Sequence, residues 1–228
     1  MLPYISAFIG TMLLILLGDG VVANVNLDRS GMKGAGAVQI TFAWGLAVLV
    51  PAFIFGSSSG AHFNPALTIA LAAIGNLIAQ FAGAFVGAVL VYVLFAGQFE
   101  ATKDQGIKLG VFCTGPSIAN TGLNLLSEII GTFVLVFAIL GIGNVENASS
   151  MGLNYFFVFA IIVSIGMSLG GLTGYAINPA RDLGPRLAHA VLPIPGKGDS
   201  NFGYAWIPVV GPIIGALLAG GLFVVIPW

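Results

Sequence analysis

The triplet Asn-Pro-Ala occurs twice, as Asn64-Pro65-Ala66 and as Asn178-Pro179-Ala180. Asn is among the best helix N-caps, because its side-chain oxygen accepts an otherwise orphaned backbone N–H. Pro is favoured at the first helical position, where its missing N–H costs nothing. Each triplet therefore predicts a helix start, continued by ALTIALAAI in one case and ARDLGPRLAHAV in the other, half-helices of about three turns. The carboxamides of Asn64 and Asn178 would offer N–H donors to a passing oxygen. Each helix N-terminus carries roughly half a positive charge, so two of them at one lumen would oppose cations.

The elements that must hold these starts are set by composition. Of 228 residues, 58% are hydrophobic and 7% are charged, against about 25% charged in a soluble domain. So few charges cannot cover a water-facing surface, and the chain reads as an all-α integral membrane protein. The formal net charge of −1 gives no basis for nucleic-acid binding. The single Cys113 excludes an internal disulfide and an all-Cys metal site. No nucleophile–base–acid set or metal-ligand spacing occurs, which argues against an enzyme, a metal and a cofactor.

Apolar runs of about 20 residues bounded by breakers predict spans near 3–23, 37–56, 77–96, 123–143, 152–171 and 205–227. The connections 24–36, 97–122 and 144–151 are polar. Segments 57–76 and 172–191 are semi-apolar and broken by Gly, Ser, Pro and Asn. Irregular backbone at membrane depth is tolerated only when buried in protein or lining a wet cavity, so these two segments mark the functional region.

They also belong to a repeat. Gly10-Thr11 recurs at Gly131-Thr132, GAHFNPA at 60–66 recurs as GYAINPA at 174–180, and GAFVGA at 83–88 recurs as GPIIGA at 211–216. Each half, approximately 1–115 and 116–228, holds three spans and one broken segment. Three is odd, so the second half enters the membrane inverted, the pattern in which paired interrupted segments point to the site. The whole chain forms a single domain.

These features resemble the major intrinsic proteins, the aquaporin family, over essentially the whole chain. GYAINPARDLGPRLAHA is especially similar to the glycerol-facilitator branch, and Asp182 directly after Arg181 is a mark of it. The resemblance implies six tilted helices plus two re-entrant half-helices around one pore per subunit, in a homotetramer surrounded by lipid. It also implies a constriction of four positions, which match Trp44, Gly166, Tyr175 and Arg181. Where strict water channels of the family have His at the second position, Gly166 removes that side chain and opens space. Trp44 and Tyr175 would form aromatic walls for carbon. Arg181 presents several N–H donors in a fixed fork, which suits adjacent hydroxyls. Tyr175 departs from the Phe of the best-known glycerol facilitators and adds a hydroxyl.

In the family a Glu at the position of Glu128 accepts hydrogen bonds from the half-helix loop. Its mate by repeat is Ala7, which lacks the carboxylate, leaving Ser57, Ser58 or Ser59 to hold the loop around 58–64. His62 is pore-adjacent in the family, with a bracing role and a pH gate both open. Asp19, within LLGDGVV, either lines a vestibule or caps backbone. Arg181 has a structural alternative, an ion pair with Asp182; His189 reads as a half-helix surface residue.

The basic loop residues Arg29, Lys33, Lys103, Lys108 and Lys197 share one side, which the positive-inside rule would place in the cytoplasm. The resemblance implies the reverse, with cytoplasmic termini, and outweighs five loop charges. The expected function is a passive channel in a bacterial plasma membrane for glycerol and other small neutral solutes, with water, excluding protons and ions. Dihydroxyacetone, urea and protonated lactic acid remain candidate solutes. The alternatives are a mainly water- or lactic-acid-conducting pore, or a transporter coupled to protons at Asp19 or Glu128.

Overall fold

The computed structural model describes every residue except Ala73, and among the described residues there is no strand. These described residues form ten α-helices, in order: α1 Leu2–Asn26, α2 Ala37–Ser59, α3 Pro65–Ala70, α4 Leu77–Leu94, α5 Ala96–Ala101, α6 Gln105–Phe112, α7 Thr121–Gly141, α8 Leu153–Thr173, α9 Pro179–Val191 and α10 Ile207–Val225. Six of them (α1, α2, α4, α7, α8 and α10) are long and apolar enough to cross a membrane. Their outer faces carry large exposed apolar side chains such as Phe53, Leu94, Ile130 and Val225, which lipid tolerates and water would not. Charge is turned inward: Asp19, Glu128, Arg181, Asp182 and Arg186 are each at most 7% exposed.

The two half-helices differ. α9 runs for 13 residues, as its sequence suggested. α3 has only 6 residues, fewer than two turns, where the run ALTIALAAI suggested about three. The chain leaves α3 through Ala72, whose φ of 53° is left-handed, because it must turn back into a short 3-10 turn, Ile74–Asn76, and then α4. The connection 97–122, polar by composition, is folded. Asp104 caps α6 by accepting the Ile107 N–H at 2.9 Å, and Phe99, Val111 and Phe112 are fully buried. α6 packs on α1 and α9.

α1 crosses α4, and α7 crosses α10, at backbone-contact range. A Cβ on Gly83 would lie 2.2 Å from the Phe8 carbonyl oxygen and 3.1 Å from the Met12 nitrogen. A Cβ on Gly215 would lie 2.2 Å from the Ile129 carbonyl oxygen and 3.0 Å from the Phe133 nitrogen. Phe8 and Met12 map onto Ile129 and Phe133 at the Gly-Thr offset of 121, so Gly83 matches Gly215, at an offset of 132. The sequence match of GAFVGA to GPIIGA pairs Gly83 with Gly211 instead, one helical turn away. The glycine spacing of four recurs along each helix, so sequence alone cannot distinguish adjacent turns.

The loop after α9 is held by cations. Lys197 Nζ donates to the carbonyls of His189, Ala190 and Leu192 at 2.6–2.7 Å, closing the negative end of the helix. Lys108 Nζ donates to the Pro195 carbonyl. His189, expected on a surface, is fully buried, with Nδ1 2.8 Å from Ser200 Oγ.

Gly215→Ala would drive a methyl into a carbonyl that cannot rotate away. A loss of about 1–3 kcal/mol is expected, read as a lower thermal midpoint in detergent. Gly97→Ala, with nothing within 4 Å of the new Cβ, is the comparison expected to show no loss.

Candidate functional site

The two Asn-Pro-Ala triplets meet. Asn64 lies outside the helical region (φ −147°), and its side-chain oxygen accepts the Ala66 N–H at 2.9 Å. Asn178 does the same (φ −159°) for Ala180 at 3.0 Å and Arg181 at 3.2 Å. Pro65 and Pro179 occupy the first helical positions, and Ala66 and Ala180 are fully buried. Each carboxamide then reaches across. Asn64 Nδ2 donates to the Ile177 carbonyl and Asn178 Nδ2 to the Phe63 carbonyl, both at 2.8 Å. Each Asn thus holds the residue preceding the other.

The loops leading to these caps share one backbone. Gly60 and Gly174 end α2 and α8 in the left-handed region. Ala61 and Phe63 have φ of 54° and 40°, and Tyr175 and Ile177, at the same offset of 114, have 39° and 41°. Left-handed conformation is costly for non-glycine residues, especially the β-branched Ile177, so tertiary contacts must impose it. Phe63 packs where a Cβ on Gly10 would stand, 2.1 Å from its ring, and Ile177 lies against Gly131 in the same way at 3.0 Å.

Glu128 supplies the second loop's acceptors. Its Oε1 takes the Thr173 hydroxyl at 2.7 Å and the Ala176 N–H at 3.1 Å, and Oε2 takes the Ile177 N–H at 2.8 Å. Opposite Ala7 the first loop is held differently. The Ser58 hydroxyl donates to Ser6 Oγ at 2.8 Å, and Ser59 Oγ accepts the Ala61 N–H at 3.3 Å. His62 lines the cavity, and among the described residues its ring makes no hydrogen bond, so it braces nothing by that means.

A cavity of about 290 Å³ runs past both asparagines. Its wall includes Trp44, Tyr175 and Arg181, and also Leu71, Ile142 and Asn154. Arg181 Cζ sits 4.0 Å from the Trp44 ring centroid, a cation–π contact. Its Nη1 donates to the Phe112 carbonyl at 3.2 Å and to Asp19 Oδ1 at 3.3 Å. The anticipated alternative pairing of Arg181 with Asp182 does not form. Asp182 accepts Arg186 Nε at 2.9 Å and Nη2 at 3.0 Å, together with the Thr114 N–H and hydroxyl at 2.8 and 2.7 Å. Asp19 neither lines the cavity nor caps a helix; it is a buried ion partner 162 residues away in sequence.

Gly166 does not open space. A Cβ there would meet Thr41 Cγ2 at 2.5 Å and the Tyr175 ring at 2.9 Å, and one on Gly170 would meet that ring at 2.7 Å. The Tyr175 ring lies against both glycines, and Trp44 lies on Gly18, whose Cβ would be 2.2 Å from the indole. Sequence reasoning missed Gly18, Phe112, Thr114 and Arg186 in these roles. Only Arg186 left a signal, its i,i+4 spacing from Asp182.

The family profile described as Major intrinsic protein matches residues 2–223. The probable glycerol uptake facilitator protein of Thermotoga maritima is 54% identical over 229 residues, covering 96% of this chain and 97% of that one. The glycerol uptake facilitator protein of Bacillus subtilis is 56% identical over 224 residues, covering 94% and 81%. Among solved structures, the aquaglyceroporin from Plasmodium falciparum superposes with a TM-score of 0.82 at 30% identity, covering 97% of this chain and 94% of that one.

Glu128→Gln replaces one accepting oxygen with an N–H that faces another donor. A buried donor left unsatisfied costs about 1–3 kcal/mol. The expected result is a lower thermal midpoint together with faster hydrogen exchange at the Ala176 and Ile177 amides. Unchanged exchange there would remove Glu128 from its bracing role.

Proposed function

The chain belongs to the major intrinsic protein family, and from that premise we propose that it is a passive transmembrane channel for glycerol and other small uncharged solutes, together with water. The observation that carries this reading is the two-sided wall of the cavity. Trp44 and Tyr175 bring aromatic carbon to the wall, and Arg181 brings N–H donors for hydroxyls. With Nη1 engaged by Asp19 and Phe112, Nη2 and Nε have no protein acceptor among the described residues, leaving three N–H groups. A polyol has hydroxyls along one edge and C–H groups along the other. Its two edges match these two surfaces, whereas water uses only one. The names of the relatives from Thermotoga maritima and Bacillus subtilis support glycerol as the solute.

In this reading Trp44, Gly166, Tyr175 and Arg181 form the selectivity filter, with Gly166 acting from behind by seating Tyr175. The loop backbones at 60–62 and 174–176 supply carbonyl acceptors to a single file of solute, those of Phe63 and Ile177 being taken by the asparagines. Asn64 and Asn178 donate at its midpoint and interrupt the water chain along which protons would hop. The two halves, approximately 1–115 and 116–228, form an inverted repeat. The protein works as a homotetramer in a bacterial plasma membrane with its termini inside. Proton-coupled transport finds no support, since Asp19 and Glu128 both lie behind the wall with no exposure.

The decisive experiment is stopped-flow light scattering of proteoliposomes in a glycerol gradient. Water loss shrinks the vesicles, and glycerol entry then swells them. Fast reswelling that ignores a pH gradient is expected; fast shrinkage without accelerated reswelling would leave a water channel. Gly166→His is expected to push Tyr175 into the lumen and lower glycerol flux at least about tenfold more than water flux, a change of roughly 1.4 kcal/mol in relative barrier. Equal loss of both would indicate damaged packing.

A further inference from the structure

Asp19 is the one charged side chain of α1, fully buried in an otherwise uncharged helix. Its Oδ1 accepts from Arg181 Nη1 at 3.3 Å, and its Oδ2 is buried with no partner among the described residues. It stands behind the cavity wall, one residue after the Gly18 that seats Trp44, and the Trp44 ring covers Arg181 at 4.0 Å.

The neighbouring charges leave Asp19 and Arg181 to each other. Asp182 and Arg186 form a closed unit. All five N–H groups of Arg186 are accepted, by Asp182, the Thr114 carbonyl and the carbonyls of Ser200 and Asn201. Nothing of that unit is left to balance Arg181, whose single ionic partner among the described residues is Asp19. An unpaired guanidinium in a narrow lumen would act as an anion site, because its planar fork binds oxyanions strongly.

We propose that Asp19 is a specificity-determining residue that acts through Arg181: it cancels the filter's charge from behind, so that the lumen presents hydrogen-bond donors without a net positive charge. Neutral hydroxyl solutes then find donors, and small anions find no site that would hold them and block the file. Asp19 also fixes which N–H groups face the solute, by engaging Nη1. This inference rests on the reading of Trp44, Tyr175 and Arg181 as the filter.

The test uses proteoliposomes of the full chain, with water and glycerol fluxes recorded in about 0.1 M sodium nitrate, where screening extends over about 10 Å, and in matched sodium gluconate. Nitrate is small enough to approach a guanidinium in the lumen, and gluconate is not. The wild type is expected to give the same fluxes in both salts. Asp19→Asn keeps the size and the accepting oxygen but removes the charge. Its fluxes are expected to fall roughly threefold or more in nitrate, as an uncompensated buried guanidinium takes up the anion. Adding Arg181→Val to Asp19→Asn is expected to abolish that sensitivity.

Nitrate inhibition of the wild type would overturn the proposal without any variant. So would a folded, water-conducting Asp19→Asn protein indifferent to nitrate, which would leave Asp19 a structural residue. Should Asp19→Asn fail to assemble, Asp19→Ser takes its place: nitrate inhibition relieved by Arg181→Val supports the proposal, and indifference to nitrate overturns it. If the wild type conducts water but not glycerol, the glycerol reading fails alone, and the nitrate comparison is decided on water flux.

Discussion

A backbone amide or carbonyl without a partner in hydrocarbon costs several kcal/mol, yet this chain interrupts its helices there twice. The Asn64 and Asn178 carboxamides resolve the conflict jointly. Each uses its oxygen to cap its own half-helix and its nitrogen to hold the carbonyl before the other cap. Neither half can complete its centre alone, because the acceptor for each donor lies more than 100 residues away. The left-handed residues at 61, 63, 175 and 177, the carboxylate of Glu128 and the close-packed glycines of α4 and α10 all serve to bring those two carboxamides to one point.

Two arginines five residues apart show how hydrogen-bond saturation separates scaffold from function. Arg186 is fully buried, and every N–H it has is accepted by protein. It ties α9 to the segment after α6 and to the loop before α10. Arg181 is also buried, but only Nη1 of its guanidinium is engaged by protein among the described residues, and the residue lines a cavity. A buried donor left free in this way is normally a penalty. In the proposed filter it is an opening for a hydroxyl, and the Phe112 carbonyl, from a segment that composition alone marked as a mere connection, holds the guanidinium that offers it.

What could be read from the residues divides by the range of the interaction. Helix starts at Asn64 and Asn178 were legible because a cap and its proline are neighbours. The six spans were legible because hydropathy is a local sum. The folded segment 96–112 was hidden, since its burial rests on a few residues, Phe99, Val111 and Phe112, that make no long apolar run. The true repeat correspondence of α4 with α10, Gly83 with Gly215, was hidden because glycines recur one turn apart along each helix. The Asp19–Arg181 pair was invisible, as no local rule links residues 162 apart. The space expected at Gly166 was misassigned for a related reason: the type of a residue says how much room it leaves, and only the fold says who takes it.

That last point bears on how a lumen of this kind can diverge. Tyr175 stands where it does because Gly166 and Gly170 have no side chain to hold it off, and Trp44 rests on Gly18 in the same manner. The bore is therefore encoded partly in residues that no solute touches. Two homologues with identical wall residues could differ in the molecules they admit by a single methyl in the layer outside, and a comparison restricted to the wall would record them as the same.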